Sequence, residues 1–174
     1  MAIGPVPGVD EATAGSALNE RELCAWRAFF YMQEVLRGRI EQQLQADSGL
    51  SNADYTVLVA LSEAPDGRAR MFELCRALGW EKSRMHHQLT RMSSRGLARR
   101  EAGPGRASFA VITPEGRAAL EDAVPRHAAQ VRRLVLDRLT DEQIAQLGEI
   151  SAILLAGLQA DQHDGQPGSA SGAS

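Results

Sequence analysis

The 174-residue sequence predicts a mainly α-helical fold with a small two-stranded β wing: a winged helix-turn-helix flanked by long N- and C-terminal dimerisation helices. Three observations predict this fold. Two short amphipathic segments are separated by Gly79, two strand-like segments are separated by a Gly-Pro-Gly turn, and the outer segments carry apolar residues at helical spacing. A chain of this length fits one compact unit.

The chain divides into five predicted segments. The two tails, 1–17 and 161–174, are rich in Gly, Pro, Ala and Ser, and we expect them to be disordered because they lack a periodic apolar face. The other segments are an N-terminal dimerisation helix at 18–50, the winged helix-turn-helix at 51–113, and C-terminal dimerisation helices at 114–160.

The first helix is predicted to begin after Asn19, whose side chain forms a capping box with Glu22, and to run to about Leu44. Its apolar stripe is wider than one short neighbour could cover. The stripe contains Leu23, Trp26, Phe29, Phe30, Met32, Leu36, Ile40 and Leu44.

Three shorter helices follow. The second starts at Ser51 with Asp54 and stops at the turn 64–67, which reads Ala-Pro-Asp-Gly. The third is ended by Gly79, and the fourth runs from near Lys82 to Gly96. Their buried stripes are Met71, Leu74, Cys75 and Leu78 in the third helix, and Met85, Leu89 and Met92 in the fourth.

The wing consists of predicted strands at 97–100 and 107–112, joined through a Gly-Pro-Gly turn at 103–105. Thr113 then caps a helix that has Pro114 at its first position. Thr140 and Gln143 form a capping box for the last helix. The outer helices carry more apolar surface than one small core can bury, which predicts a homodimer whose two DNA-binding domains lie about one DNA turn apart.

Charge is unevenly distributed along the chain. The net charge is -3, yet residues 66–106 hold ten arginines and lysines against four acids. A clustered basic segment in an otherwise acidic chain predicts a local anionic partner, namely double-stranded DNA. The alternative is a solvated charged surface.

The chain resembles the MarR family of bacterial regulators over roughly residues 20–158. The resemblance rests on LGWEKSRMHHQLTRMSSRGLARR at 78–100, the wing, and ITPEGRAAL at 112–120. It implies a homodimer that binds a pseudo-palindromic operator, often as a repressor, until a small aromatic or phenolic effector or an oxidant weakens DNA binding. A cytoplasmic location is expected from the sequence itself, which shows neither an apolar run long enough for a membrane span nor a basic region followed by an apolar run near residue 1. The chain departs from the family pattern at Glu81, where a small hydroxyl residue is usual, and at Pro104 and Gly105, where an acidic residue usually precedes the wing arginine.

Residues predicted to contact DNA lie mainly on the free face of the fourth helix. Those expected at base edges are Arg84, His86, His87 and Thr90. Those expected at the DNA backbone are Lys82, Ser83, Arg91 and, from the wing tip, Arg106, which is also within reach of the minor groove.

Candidate sensing residues lie in the first two helices. Trp26, Phe30 and Tyr55 are the candidate lining of an effector pocket, although ordinary core packing explains them equally well. Cys24 is a candidate redox sensor because it lies near a helix N-terminus, which favours a thiolate. Cys75 lies on a core stripe and is expected to be inert.

Several functional classes are disfavoured. The sequence contains no GxSxG, HExxH or Gly-rich phosphate loop, so we do not expect an enzyme. We expect no cofactor and no metal, since His86 and His87 point about 100° apart on a helix. Without a run of some 18 apolar residues, no membrane association is expected. A winged helix that binds proteins instead of DNA is the main rival interpretation.

Overall fold

The computed structural model describes residues 18–164, which form six α-helices and three β-strands. In chain order these are α1 (Glu20–Ser48), α2 (Asn52–Glu63), β1 (Arg68–Arg70), α3 (Met71–Leu78), α4 (Lys82–Ser94), β2 (Ala98–Ala102), β3 (Ser108–Ile112), α5 (Pro114–Leu134) and α6 (Asp141–Asp164). The predicted tail 1–17 lies outside the described residues. Of the predicted tail 161–174, the first four residues continue α6 and the rest lies outside the described residues.

The predicted helix starts are confirmed by their capping hydrogen bonds. Asn19 and Glu22 form a reciprocal capping box at the start of α1, and Ser51 and Asp54 form another at α2. Thr113 Oγ1 accepts from the backbone N–H of Gly116, which starts α5. Each cap satisfies backbone donors that the first turn of a helix leaves unpaired, and this fixes where the helix begins.

The hydrophobic core lies within the winged helix-turn-helix and the start of α5. Apolar side chains from α2, α3, α4, the sheet and α5 converge there and exclude water. The most deeply buried are Leu50, Val57, Leu58, Leu61, Leu74, Met85, Leu89, Met92, Ala98, Ala110 and Ala123. This core holds α4 in place and leaves its opposite face free.

The sheet has one strand more than the predicted wing. β2 and β3 form the expected antiparallel hairpin, and β1 pairs with the other edge of β3, which gives the order β1-β3-β2. β1 has only three residues, so the sequence shows no alternation from which it could be predicted. The chain enters β1 through Gly67, where an added Cβ would lie 2.6 Å from Cγ2 of Ile112, too close for a side chain.

The long outer helices bury little of their apolar surface within one chain. α1 packs against α5 near its C-terminal end, and Leu44 is its one fully buried residue. On α6, Ile153 is 65% exposed and Leu158 is 64% exposed. Among the described residues, no helix combines the length and apolar character needed to cross a membrane.

Candidate nucleic-acid interface

The two faces of α4 differ sharply in burial. Met85, Leu89 and Met92 point into the core, and Gln88 between them is also buried. The remaining side chains of the helix are exposed. α4 therefore presents a continuous polar face of the kind that enters the major groove in helix-turn-helix proteins.

All the predicted contacts of α4 lie on this free face. The exposed set is Lys82, Ser83, Arg84, His86, His87, Thr90 and Arg91. The hydroxyl of Thr90 donates to the backbone carbonyl of His86 at 2.9 Å, so its proton is already engaged within the helix. Arg106 belongs to the turn at the wing tip, and its side chain lies outside the described part of the chain. That these residues contact DNA stays a prediction.

Arg84 is held by a neighbour that the sequence did not reveal. Its guanidinium lies over the ring of Trp80, 4.1 Å from the ring centroid. Trp80 itself packs against the core from the turn between α3 and α4. A cation over an aromatic face gains electrostatic stabilisation, and here the contact also restricts the long arginine side chain before any DNA is bound.

The N-terminus of α4 lacks a side-chain cap. Glu81 occupies the N-cap position with extended backbone angles but makes no capping hydrogen bond. The departure from the family pattern noted at this residue therefore has a structural consequence. The first backbone N–H groups of α4 keep their hydrogen-bonding capacity for another acceptor.

The wing is anchored by contacts of Glu101 and Phe109, which face each other one residue pair from the turn of the hairpin. The Arg68 guanidinium lies 3.5 Å from the centroid of the Phe109 ring, and its Nε donates to Glu101 at 3.2 Å. Glu101 also accepts from Arg99 Nη2 at 2.7 Å. The hydrogen bond and charge of Arg99, followed by the charge of Arg68, hold the pKa of Glu101 below its ordinary value. Although an acidic residue is missing beside Arg106, the wing is tied to β1 through Glu101.

A basic cleft of about 420 Å³ separates α4 from the wing. Arg70 and Arg100 line it together with the predicted contacts Lys82 and His86, and Arg100 Nη2 donates to the His86 carbonyl at 3.1 Å. Sequence reasoning missed Arg70 and Arg100 as parts of the interface because their placement depends on the register of β1 and β2 against β3.

The three candidate effector residues fall into two places. Trp26 and Phe30 lie together on exposed α1, with ring centroids 5.9 Å apart. Tyr55 instead packs against His127 of α5, with centroids 4.5 Å apart, in the region where α5 meets the C-terminal end of α1. Gln43 of α1 lines that region and lies 17 positions after Trp26. At 1.5 Å per residue along the helix, the backbones of Trp26 and Gln43 are roughly 25 Å apart. One protomer therefore does not gather Trp26, Phe30 and Tyr55 into a single pocket.

The two cysteines differ in environment. Cys24 is exposed near the start of α1, in a surface hollow that Arg27 and Tyr31 also line. Cys75 is partly buried against the core, and burial raises the pKa of its thiol, with Glu81 adding to the shift. A raised pKa keeps Cys75 protonated and unreactive at neutral pH. Redox sensing by Cys24 stays a prediction.

Comparison with known proteins identifies the family. A family model described as MarR family matches residues 48–107. A solved structure of Sco3205, a MarR family transcriptional regulator from Streptomyces coelicolor in complex with DNA, is 39% identical in sequence to this chain. The match covers 82% of this chain and 91% of the Sco3205 chain, with a TM-score of 0.79. The chain belongs to the MarR family of transcriptional regulators.

Two further solved structures resemble this MarR family protein. AbsC, a MarR family transcriptional regulator from the same organism, is 36% identical, with 83% of this chain and 98% of AbsC covered and a TM-score of 0.78. CouR from Rhodococcus jostii, solved with p-coumaroyl-CoA bound, is 21% identical over 71% of this chain and 85% of its own, with a TM-score of 0.62, and shows the fold alone. The search of curated protein sequences gave no significant match.

Proposed function

We propose that this MarR family regulator binds a pseudo-palindromic operator as a homodimer and represses transcription until a small aromatic effector releases it. The observation that carries the proposal is the free face of α4, which is polar and basic and lies beside a wing anchored through Glu101. Sco3205, the 39% identical relative, was crystallised with DNA, which supports the same use of the fold here.

DNA contacts are assigned according to position on this surface. Arg84, preorganised on Trp80, reads a base edge, because its planar guanidinium can pair bidentately with guanine. His86, His87 and Thr90 lie nearby on the same face. Lys82, Ser83 and Arg91 contact phosphates, the uncapped backbone N–H groups at the start of α4 donate to a phosphate oxygen, and Arg106 contacts the backbone or minor groove from the wing.

Dimerisation is supported by the unpartnered apolar faces of α1 and α6. A groove of about 800 Å³ lies between α1, the end of α5 and α6, and its walls include Met32, Val35 and Leu147. Exposed apolar side chains continue along α6 to Leu158. A second copy of the chain would cover these faces, and its two-fold symmetry would match a palindromic operator.

Effector control is proposed to act through the exposed aromatic rings of α1. CouR, which shares the fold, holds p-coumaroyl-CoA, and this chain exposes the adjacent aromatic rings of Trp26 and Phe30 on α1. Aromatic walls with few polar groups suit a phenolic ligand. We expect phenolic acids titrated into the protein–DNA complex to release DNA from the wild type and to act only at higher concentrations on W26A and F30A. An equal response of all three proteins would contradict it.

The test is fluorescence anisotropy of the protein on the DNA upstream of its own gene and on a scrambled duplex, across a salt series. We expect tight, salt-sensitive binding with preference for the upstream sequence, because base contacts add to phosphate contacts. R84A should reduce that preference, with about 1 to 3 kcal/mol of discrimination removed at each half-site of the operator. The matched control is R37A, which removes another exposed arginine, on α1, where Arg37 Nη2 pairs with Glu34 at 2.8 Å.

The outcomes separate the rival functions. Preference reduced in R84A and kept in R37A supports a regulator whose α4 reads bases. Equal weak binding of the wild type to the upstream, scrambled and other genomic duplexes would contradict sequence-specific DNA binding and favour a winged helix that binds proteins. C24S compared with the wild type under peroxide tests the redox alternative, since release of DNA from the wild type alone would assign sensing to Cys24.

A further inference from the structure

A buried carboxylate links α2 to α4. Asp54 is 2% exposed, yet it accepts hydrogen bonds from Gln88 Nε2 of α4 at 2.7 Å and from Arg95 Nη1 at 2.6 Å. Burial alone would raise the pKa of Asp54, but hydrogen bonds from the backbone and hydroxyl of Ser51, and then from Arg95, hold that pKa below its ordinary value. Asp54 is therefore a charged, acceptor-only group at neutral pH.

The charge on Asp54 decides how the Gln88 amide is oriented. A carboxylate can only accept, so the amide nitrogen of Gln88 must face Asp54 and its Oε1 must face the other way. Oε1 accepts a hydrogen bond from Arg91 Nη2. Gln88 is 1% exposed, so water has little access to replace either partner.

The same network reaches the end of α1. Arg95 uses its second nitrogen, Nη2, to donate to the Gly49 carbonyl at 2.6 Å, immediately after α1 ends. Hydrogen bonds therefore run without interruption from Gly49 through Arg95, Asp54 and Gln88 to Arg91. One end of this series is the helix proposed to dimerise, and the other is an exposed arginine on the face proposed to contact DNA.

We propose that Asp54 is a positioning residue for DNA recognition: it fixes which end of the Gln88 amide faces outward and thereby holds the Arg91 guanidinium toward the phosphate backbone. The inference rests on the proposed function, in which Arg91 contacts a phosphate. Asp54 touches no DNA. Its effect passes through Gln88, and the negative charge, more than the size of the side chain, is what the arrangement requires.

The isosteric change D54N is the sharpest test. An asparagine amide can donate to Oε1 of Gln88, which lets the Gln88 amide turn and present its own donors to Arg91, where donor faces donor. Removing one phosphate contact lowers the slope of log K against log salt by about 0.9. D54N and R91A each remove this contact from both protomers of the proposed dimer, so we expect weaker binding to the upstream DNA and a slope smaller in magnitude by about 1.8. We expect D54N/R91A to match R91A.

The salt slope distinguishes positioning from folding, because a smaller folded fraction weakens apparent binding without changing the slope. The matched control is D47N, which makes the same change at Asp47 of α1, where the carboxylate accepts from Gln43 Nε2 at 2.6 Å. We expect D47N to keep the wild-type slope. If D54N does not fold, Q88M replaces it, since methionine removes the acceptor for Arg91 and leaves Asp54 with Ser51 and Arg95.

Each contrary outcome has a distinct meaning. Wild-type slopes in both D54N and Q88M, or additive losses in D54N/R91A, would overturn the positioning role. A wild-type slope in R91A alone would remove Arg91 from the interface and overturn the inference, while sequence-specific binding by the wild type would leave the proposed function standing. Failure of the wild type to prefer any operator would refute the proposed function and this inference together.

Discussion

Gly116, in the first turn of α5, lies against the backbone carbonyl of Leu97 just before β2, and G116A should destabilise the protein. An added Cβ would lie 1.9 Å from the carbonyl oxygen of Leu97, whereas ordinary contact begins at 3.4 Å. The carbonyl cannot move aside easily, because it also accepts the backbone N–H of Thr113 at 3.3 Å, while Thr113 Oγ1 donates to the Gly96 carbonyl at 2.5 Å. The start of α5 and the end of the α4–β2 connection must therefore separate by about 1.5 Å, the difference between the two distances.

The magnitude follows from two opposing effects. Overpacking a close contact costs about 1 to 3 kcal/mol, and a backbone clash belongs at the upper end. Alanine in place of glycine inside a helix stabilises the folded protein by about 1 kcal/mol. The net loss is about 2 kcal/mol, or a fall in Tm of about 4 to 8 °C for a chain of this size.

Thermal unfolding followed by circular dichroism at a fixed protomer concentration measures this change. G38A is the matched control: Gly38 lies in α1 with no atom within 4 Å of an added Cβ, so the same substitution should raise Tm by about 2 to 4 °C. Since Gly116 joins α5 to the wing, G116A should also weaken operator binding. A Tm for G116A equal to or above that of the wild type would refute the packing argument.

Three other predictions follow from the structure. W80A should weaken operator binding about twofold to fivefold because it removes the ring beneath Arg84, and W80F should restore part of the lost affinity. If W80A weakened binding equally in an R84A background, its effect would not pass through Arg84. Burial lowers the pKa of His127 below its ordinary 6.5 in the folded protein, so the free energy of unfolding should fall as the pH drops below about 6.5. In denaturant titrations, H127F should show a smaller fall than the wild type. An identical pH dependence of the two proteins would rule His127 out as the source of the fall. In the proposed dimer, L154E should give monomer in light scattering and weaken operator binding, whereas Q146E on the same helix should change neither. A dimeric L154E would exclude this face of α6 from the interface.

Helix positions could be predicted because their signals are local. The capping boxes of Asn19 with Glu22 and Ser51 with Asp54 occur within four residues of sequence, and both are present in the structure. Gly79 ends α3 with a φ of 61°, as expected for a glycine in the left-handed region. The basic, exposed face of α4 was predictable for the same reason, since helical spacing separates it from the stripe of Met85 and Leu89.

Features that depend on distant segments could not be predicted. Asp54 was read only as a cap for α2, because its partner Gln88 lies 34 residues away and nothing in the sequence pairs them. Trp80 gave no sign of supporting Arg84, although they lie only four positions apart in the sequence, because Trp80 lies before α4 and helical spacing does not apply to it. Tyr55 was grouped with Trp26 because both are aromatic, whereas the length of α1 keeps them apart within one protomer.

The short strand β1 affects how the winged helix-turn-helix folds. Because β1 pairs with β3, everything between them, including α3 and α4, forms a loop of roughly 40 residues closed by the sheet. Closing such a loop costs chain entropy that is recovered only when the enclosed helices pack on the core, so sheet and helices should form in one cooperative step. A chain whose sheet has opened therefore has no ordered α4, and partly unfolded protein should not compete with native protein for an operator.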